Sequence, residues 1–341
     1  MGGGTPDTTV QEYWNGGIQW FTPSEIGKNK YTDKSERTIT QDGLNNSSAK
    51  VLPINTILLS TRATIGESSI AKTECCTNQG FQSLIANEEI TCYEYLYYLV
   101  ATLKKELIRK SCGSTFLEIS ANEVRKIKTF IPSLEEQRKV ASLLALLDER
   151  IATQIKIIEK LESLIKGLCQ KLTQQDIPNI TLNNCLECYS STLQESSVLK
   201  TGDFPVYGAT GVCGYTDSPE VNEDSILIIK DGASVGVTYY ASGKYSAIGT
   251  LNRLVAKSYY SLRYLYYCLK VFNFAPYRTG LAIPHIYFRD YGKAQIWCPP
   301  IEEQNRIANA LEKVEQKIAT EKSLLEQLYS QKRFLLQAMF I

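Results

Sequence analysis

Apolar residues recur in alternating steps of four and three along two long stretches of the chain. In the first they are Val140, Leu144, Leu147, Ile151, Ile158, Leu161, Ile165, Leu168 and Leu172, with Gln154 as the one polar member. In the second they are Ile307, Leu311, Val314, Ile318, Leu325, Leu328, Leu335 and Met339, with Glu321 and Lys332 interposed. So narrow a stripe, sustained over this length, predicts a helix packed along another helix, near 135–173 and 302–340. Two ordinary amphipathic helices in separate cores are the alternative. At about 1.5 Å per residue each helix would be roughly 60 Å long, which exceeds the diameter of a small domain.

The two stretches are copies. Pro132-Ser-Leu-Glu-Glu-Gln-Arg-Lys-Val-Ala returns as Pro299-Pro-Ile-Glu-Glu-Gln-Asn-Arg-Ile-Ala, at an offset of 167. Ile151-Ala152-Thr153 returns as Ile318-Ala319-Thr320, and the polar exceptions Gln154 and Glu321 correspond. Each copy opens with proline and two carboxylates, which suit a helix N-terminus. The regions before the helices repeat more loosely. Glu94-Tyr-Leu-Tyr-Tyr-Leu99 answers Arg263-Tyr-Leu-Tyr-Tyr-Cys268; Gly113 answers Gly280, and Ile119 answers Ile286. The order is therefore globular, helix, globular, helix. Predicted strands are Thr56–Ser60, Gln82–Ala86, Ser225–Ile229, Val237–Tyr240 and Leu251–Val255; shorter helices are expected near Tyr93–Ile108 and Leu262–Phe272. This is an α+β chain, with residues 1–131 and 176–298 as globular domains and 132–175 and 299–341 as helices.

Composition narrows the class. The chain has 341 residues, enough for two or three cores. No stretch approaches the length of a membrane helix, and no basic-then-apolar signal opens the chain, so a cytoplasmic protein is expected. The ten cysteines are then expected to be reduced. Cys185-Leu-Glu-Cys188 has no second pair to complete a zinc site, and Cys75-Cys76 reads as core. The net charge of +1 decides nothing, but its distribution is uneven. Between Ser225 and Trp297, nine basic residues, Lys230 and Arg253 among them, face only Asp231 and Asp290. That block suits either a phosphate-binding face or an ordinary solvated surface.

Together, several motifs resemble the specificity subunits of Type I restriction–modification systems, over essentially the whole length. They are the doubled Pro-x-x-Glu-Glu-Gln helix starts, Gly3-Gly-Thr-Pro6, Tyr13-Trp-Asn-Gly-Gly-Ile18 with Trp20-Phe-Thr-Pro23, and Gly202-Asp-Phe-Pro-Val-Tyr-Gly-Ala-Thr-Gly211. The resemblance implies two target-recognition domains and two long helices forming an antiparallel coiled coil, with pseudo-twofold symmetry. Each domain would read one half of a split double-stranded DNA sequence. The helices would set the spacing and dock two methylation subunits, which restriction subunits join. The chain itself would bind no cofactor; S-adenosylmethionine, ATP and magnesium would belong to the partners. About twenty residues, including Ile180-Thr-Leu182, separate the first long helix from Gly202, whereas Gly3 stands almost at the start; the expectation is either that the first domain lacks an opening strand or that the start codon lies upstream.

The residues agree with a non-catalytic role. Cys298-Pro-Pro-Ile301 lacks the acid and the aromatic of an amino-methyltransferase motif; there is no dinucleotide fingerprint or phosphate loop, and His285 is the one histidine. Binding remains, as a DNA reader or as a coiled-coil scaffold. Base and phosphate contacts need cations, amides and hydroxyls on loops. Three loops supply them: Arg62 and Thr64 after a strand; Lys110, Ser114 and Thr115 after a helix; and Arg278 and Thr279 leading to His285. Lys230 and Arg253 in the basic block complete the DNA-binding candidates. Gly113 and Gly280 could instead cap helices, and Arg62 could simply pair with an acid.

Overall fold

The computed structural model describes residues 1–113, 117–280 and 282–340. The chain forms two compact units. One is Met1–Thr153 together with the chain from Leu325 onward; the other is Gln154–Leu324. Each long helix therefore contributes one segment to each unit.

The long helices span Leu134–Thr173 and Ile301–Met339. Every residue of the predicted seam is buried or half-buried, and Leu144 and Leu311 are fully enclosed. In the first unit the two helical segments run antiparallel: Lys332 pairs with Asp148, while Val140 and Phe340 join one apolar cluster. In the second unit the two polar exceptions find each other. The Gln154 amide donates to the Glu321 main-chain oxygen at 3.1 Å and to the Glu321 carboxylate. Lys317 and Gln154 hold that carboxyl below its usual range. One polar pair inside an apolar seam disfavours slipped registers, because any shift would bury both groups unpaired.

The helix starts share one anchor, a buried glutamine, and the first adds a capping box. Ser133 and Glu136 form a capping box, the hydroxyl and carboxylate each accepting from the other residue's N–H. The glutamine of each Glu-Glu-Gln motif is buried. Gln137 accepts from the Cys92 N–H at 3.1 Å and donates to the carbonyls of Ile90 and Pro132. Gln304 accepts from the Ser261 N–H at 2.9 Å and donates to Pro299. Cys92 and Ser261 are the N-caps of the helices Tyr93–Thr102 and Leu262–Lys270. One side chain thus ties two helix N-termini together and satisfies an N–H that helix geometry leaves free. Further along, the Tyr98 hydroxyl donates to Asp148 at 2.7 Å, and the Tyr267 hydroxyl to Glu315 at 2.9 Å.

In the second unit a four-stranded antiparallel sheet runs in the order Thr238–Ala241, Ser225–Ile229, Leu251–Ala256, Leu186–Ser190. Ser225–Ile229 is buried at every residue and apolar after Ser225, because it is covered on both faces. Ile226 and Ile228 pack into the helix-side core with Tyr264 and Leu311; Leu227 and Ile229 pack into a second cluster with Tyr245 and Leu251. A short pair, Ile180–Thr181 against Gln295–Ile296, lies just before the second helix start.

The first unit holds two three-stranded sheets. Trp14–Phe21 lies between Arg37–Ile39 and Cys75–Thr77, and Ser68–Ala71 lies between Tyr31–Thr32 and Ile57–Leu59. Burial pushes the Cys75 and Cys76 thiols up, to about 12 and about 11, so both are inert core residues. Two expectations change. Gln82–Ala86 forms isolated bridges from Gln82 to Gly2 and from Leu84 to Ile57, because the pairing switches partner within three residues and no ladder propagates. The helix expected near Tyr93–Ile108 is two helices, Tyr93–Thr102 and Lys104–Arg109. The Thr102 hydroxyl donates back to the Leu99 carbonyl at 2.7 Å, which competes with continuation of the helix.

Candidate nucleic-acid interface

In both units a buried strand runs out into a turn, and a distant segment returns to bridge it. In the first unit Ile57–Leu59 leads to Arg62. Thr64 braces the turn by donating to Ser60 at 3.0 Å and to the Pro23 carbonyl at 3.3 Å. Ala63 takes a left-handed φ of 62° at its tip. The returning segment pairs Cys112 with Glu118 through main-chain bonds of 2.9 and 3.0 Å, and Ile119 N–H donates to Thr61. Arg62 then donates from Nη2 and Nε to one Glu118 oxygen, at 2.6 and 3.1 Å.

The second unit repeats this arrangement. Ser225–Ile229 leads to Lys230 and Asp231. The returning segment pairs Thr279 with His285 through bonds of 2.9 and 2.7 Å, and Ile286 N–H donates to Lys230. His285 Nδ1 lies 2.7 Å from Asp231 Oδ1. Gly280, at φ +87°, makes the return tight; a Cβ there would stand 2.3 Å from the Ile283 carbonyl oxygen. Gly113 is in the same left-handed region, at φ +136°, next to bridging Cys112. Both glycines therefore serve the bridge, and neither caps a helix.

The backbone is the same and the side-chain chemistry is reversed. The strand-side residue is a cation in the first unit, Arg62, and an acid in the second, Asp231. The returning residue is an acid in the first, Glu118, and an imidazole in the second, His285. All four are partly open to solvent.

Of the other candidates, Arg278 lies beside this cluster and donates to the Val235 carbonyl at 3.0 Å. Half-buried Lys110 stands 4.0 Å from Glu123. Arg253 belongs to the sheet, held by Glu223 at 2.6 Å and stacked 4.5 Å over Tyr189, so it is not gathered into the loop cluster. Ser114 and Thr115 lie outside the described residues. The basic block is also less basic than it reads along the chain. Arg253, Arg263 and Lys270 are paired with Glu223, Glu312 and Glu315, all from outside the block. Sequence reasoning passed over Glu118 and Asp231, since a search for DNA contacts looks for cations. The offset of 167 carried the signal: it sets Cys112 against Thr279 and Glu118 against His285.

Among the described residues, no group of three or more His, Cys, Asp or Glu is arranged to hold a metal ion, and no helix is long and apolar enough to cross a membrane.

The fold has solved counterparts. A Type I restriction–modification S subunit from M. genitalium superposes with a TM-score of 0.62 at 19% identity, covering 96% of this chain and 94% of that one. A chain from a study of type I R–M complex assembly and conformational transition gives 0.59, also at 19% identity, covering 90% of each. Among curated relatives, the MjaIX specificity subunit of Methanocaldococcus jannaschii is 39% identical over 167 residues, 48% of this chain and 38% of its own length. The EcoR124I/EcoR124II subunit of Escherichia coli is 29% identical over 42% of this chain and 37% of its own length. The EcoprrI subunit of Escherichia coli is 22% identical over 91% of this chain and 84% of its own. The chain thus spans less than half of the first two relatives and most of the third. The family described as Type I restriction modification DNA specificity domain matches twice, at residues 1–163 and 173–330, once for each copy of the globular part with its long helix. With that double match over nearly the whole chain, the protein belongs to the Type I restriction modification DNA specificity domain family.

Proposed function

We propose that the chain is the DNA sequence-specificity subunit of a Type I restriction–modification complex. Residues 1–131 and 176–298 each read one short block of a bipartite double-stranded target. The helical segments at 132–175 and 299–341 hold the two readers at a fixed spacing and dock two methylation subunits, which restriction subunits join. The chain is non-catalytic and acts in the cytoplasm; S-adenosylmethionine, ATP and magnesium reside on the partners.

One observation carries this reading. A duplicated frame presents, at one equivalent place in each unit, solvent-open side chains of opposite character. A scaffold without DNA readout has no use for that difference, whereas two readers of different blocks need it, because each base edge shows its own order of donors and acceptors. Arg62, Thr64, Lys110, Ser114 and Thr115 serve the first block. Lys230, Arg278, Thr279 and His285 serve the second; Arg253, held in the sheet, does not.

The test is the methylated motif in host DNA, with and without this gene, when the methylation subunits are present. Two short defined blocks separated by a fixed number of unspecified base pairs are expected. A single continuous palindrome, or methylation indifferent to this chain, would overturn the reading. Alone, the purified chain should bind DNA weakly, since a net charge of +1 releases few counterions.

A further inference from the structure

We infer that the two bridged pairs read opposite base chemistries: Asp231–His285 an exocyclic amino group, and Glu118–Arg62 a guanine edge. This rests on the DNA-reading function proposed above.

A carboxylate can only accept, so the proton shared across the 2.7 Å contact is on His285 Nδ1. In the neutral ring Nε2 is then a bare acceptor. Among the described residues it has no hydrogen-bond partner, and the side chain is 35% exposed. An acceptor selects a donor on the base edge. In the major groove those donors are the amino groups of adenine and cytosine, whereas guanine and thymine present acceptors there. Asp231 is a positioning residue that fixes which ring nitrogen faces outward.

In the first unit the polarity is inverted. Arg62 has five N–H donors and no acceptor. Two of them, on Nε and Nη2, are engaged by Glu118, and the remaining three stay available on a side chain that is 44% exposed. A fork of donors suits the paired O6 and N7 acceptors of guanine. Glu118 steadies that fork as Asp231 steadies the imidazole.

The experiment uses the complete methylation complex on duplexes of its own motif. At each position of the block read by the second unit other than the base that accepts the methyl group, adenine is replaced by purine, or cytosine by pyrimidin-2-one, so that only the amino group is lost. For the wild-type chain, one such deletion should lower kcat/KM by on the order of tenfold or more; whether purine or pyrimidin-2-one causes it names the base. With His285→Arg, a donor-only side chain, the unmodified duplex should lose a similar factor and the same deletion should cost nothing further. His285→Asn keeps the order of donor to Asp231 and outward acceptor, so it should retain the sensitivity to the deletion. Equal losses in the Asn and Arg variants, or a deletion cost unchanged by His285→Arg at every position, would overturn the assignment. Either result leaves the bipartite motif of the wild-type complex standing, so failure here is distinct from failure of the proposed function.

Discussion

The two units differ little where they grip the long helices, and where their loops face outward they keep the backbone and differ in side-chain chemistry. At the grip, Gln137 and Gln304 each accept from the N-cap N–H of the neighbouring helix, and Tyr98 and Tyr267 reach the same helical position, occupied by Asp148 and Glu315. At the loops, Arg62 with Glu118 in one unit corresponds to Asp231 with His285 in the other. The buried polar groups at the grip are constrained because each must find a partner inside the fold. The bridged loop pairs are half-open, so exchanging one pair for another costs little stability and alters only what the surface presents.

The strongest break is at the seam. Leu144→Asp would bury a lone charge at a fully enclosed position and should cost about 4 kcal/mol, read as a fall in the denaturant midpoint. Leu161, only half-buried, should lose clearly less with the same change. If both variants unfold at the wild-type midpoint, the helices do not meet through this seam.

Next come the glutamines. Gln137→Ala and Gln304→Ala each strand an N–H that has no intrahelical partner, so each should cost about 1–3 kcal/mol. The account requires comparable losses in the two copies. A loss in one copy alone would show that the grips are not equivalent. Smallest in stability are the loop pairs. Arg62→Ala removes an exposed ion pair worth about 1 kcal/mol or less, yet it should degrade reading of the first block and spare the second. A chain that keeps both blocks unchanged would remove Arg62 from the reading surface.

The seam was legible because a heptad period needs nothing but the order of apolar residues, and the repeat was legible because it keeps its offset. Less could be read where backbone chemistry decides. Trp14–Phe21 is the longest strand of its unit, but Asn15-Gly16-Gly17 reads as a turn. Asn15 does sit at φ 62°, and the strand absorbs it as a register shift between Trp14 and Ile18. The roles of Gln137 and Gln304 were hidden for another reason: the motif marks a helix start, and only the fold shows which distant N–H it meets. At the candidate site the cations Arg62 and Arg278 and the lone His285 stood out in the sequence. Their organising acids, Glu118 and Asp231, did not, since a carboxylate is the last group expected near DNA until its partner is known.

Exchange of residues 176–298 for the matching domain of a relative tests the central claim most directly, with the methylated motif of the assembled complex as the readout. One block should change, while the other block persists, because the first unit and its grip on the helices are untouched. Simultaneous change of both blocks would contradict the account of two independent readers on a common frame.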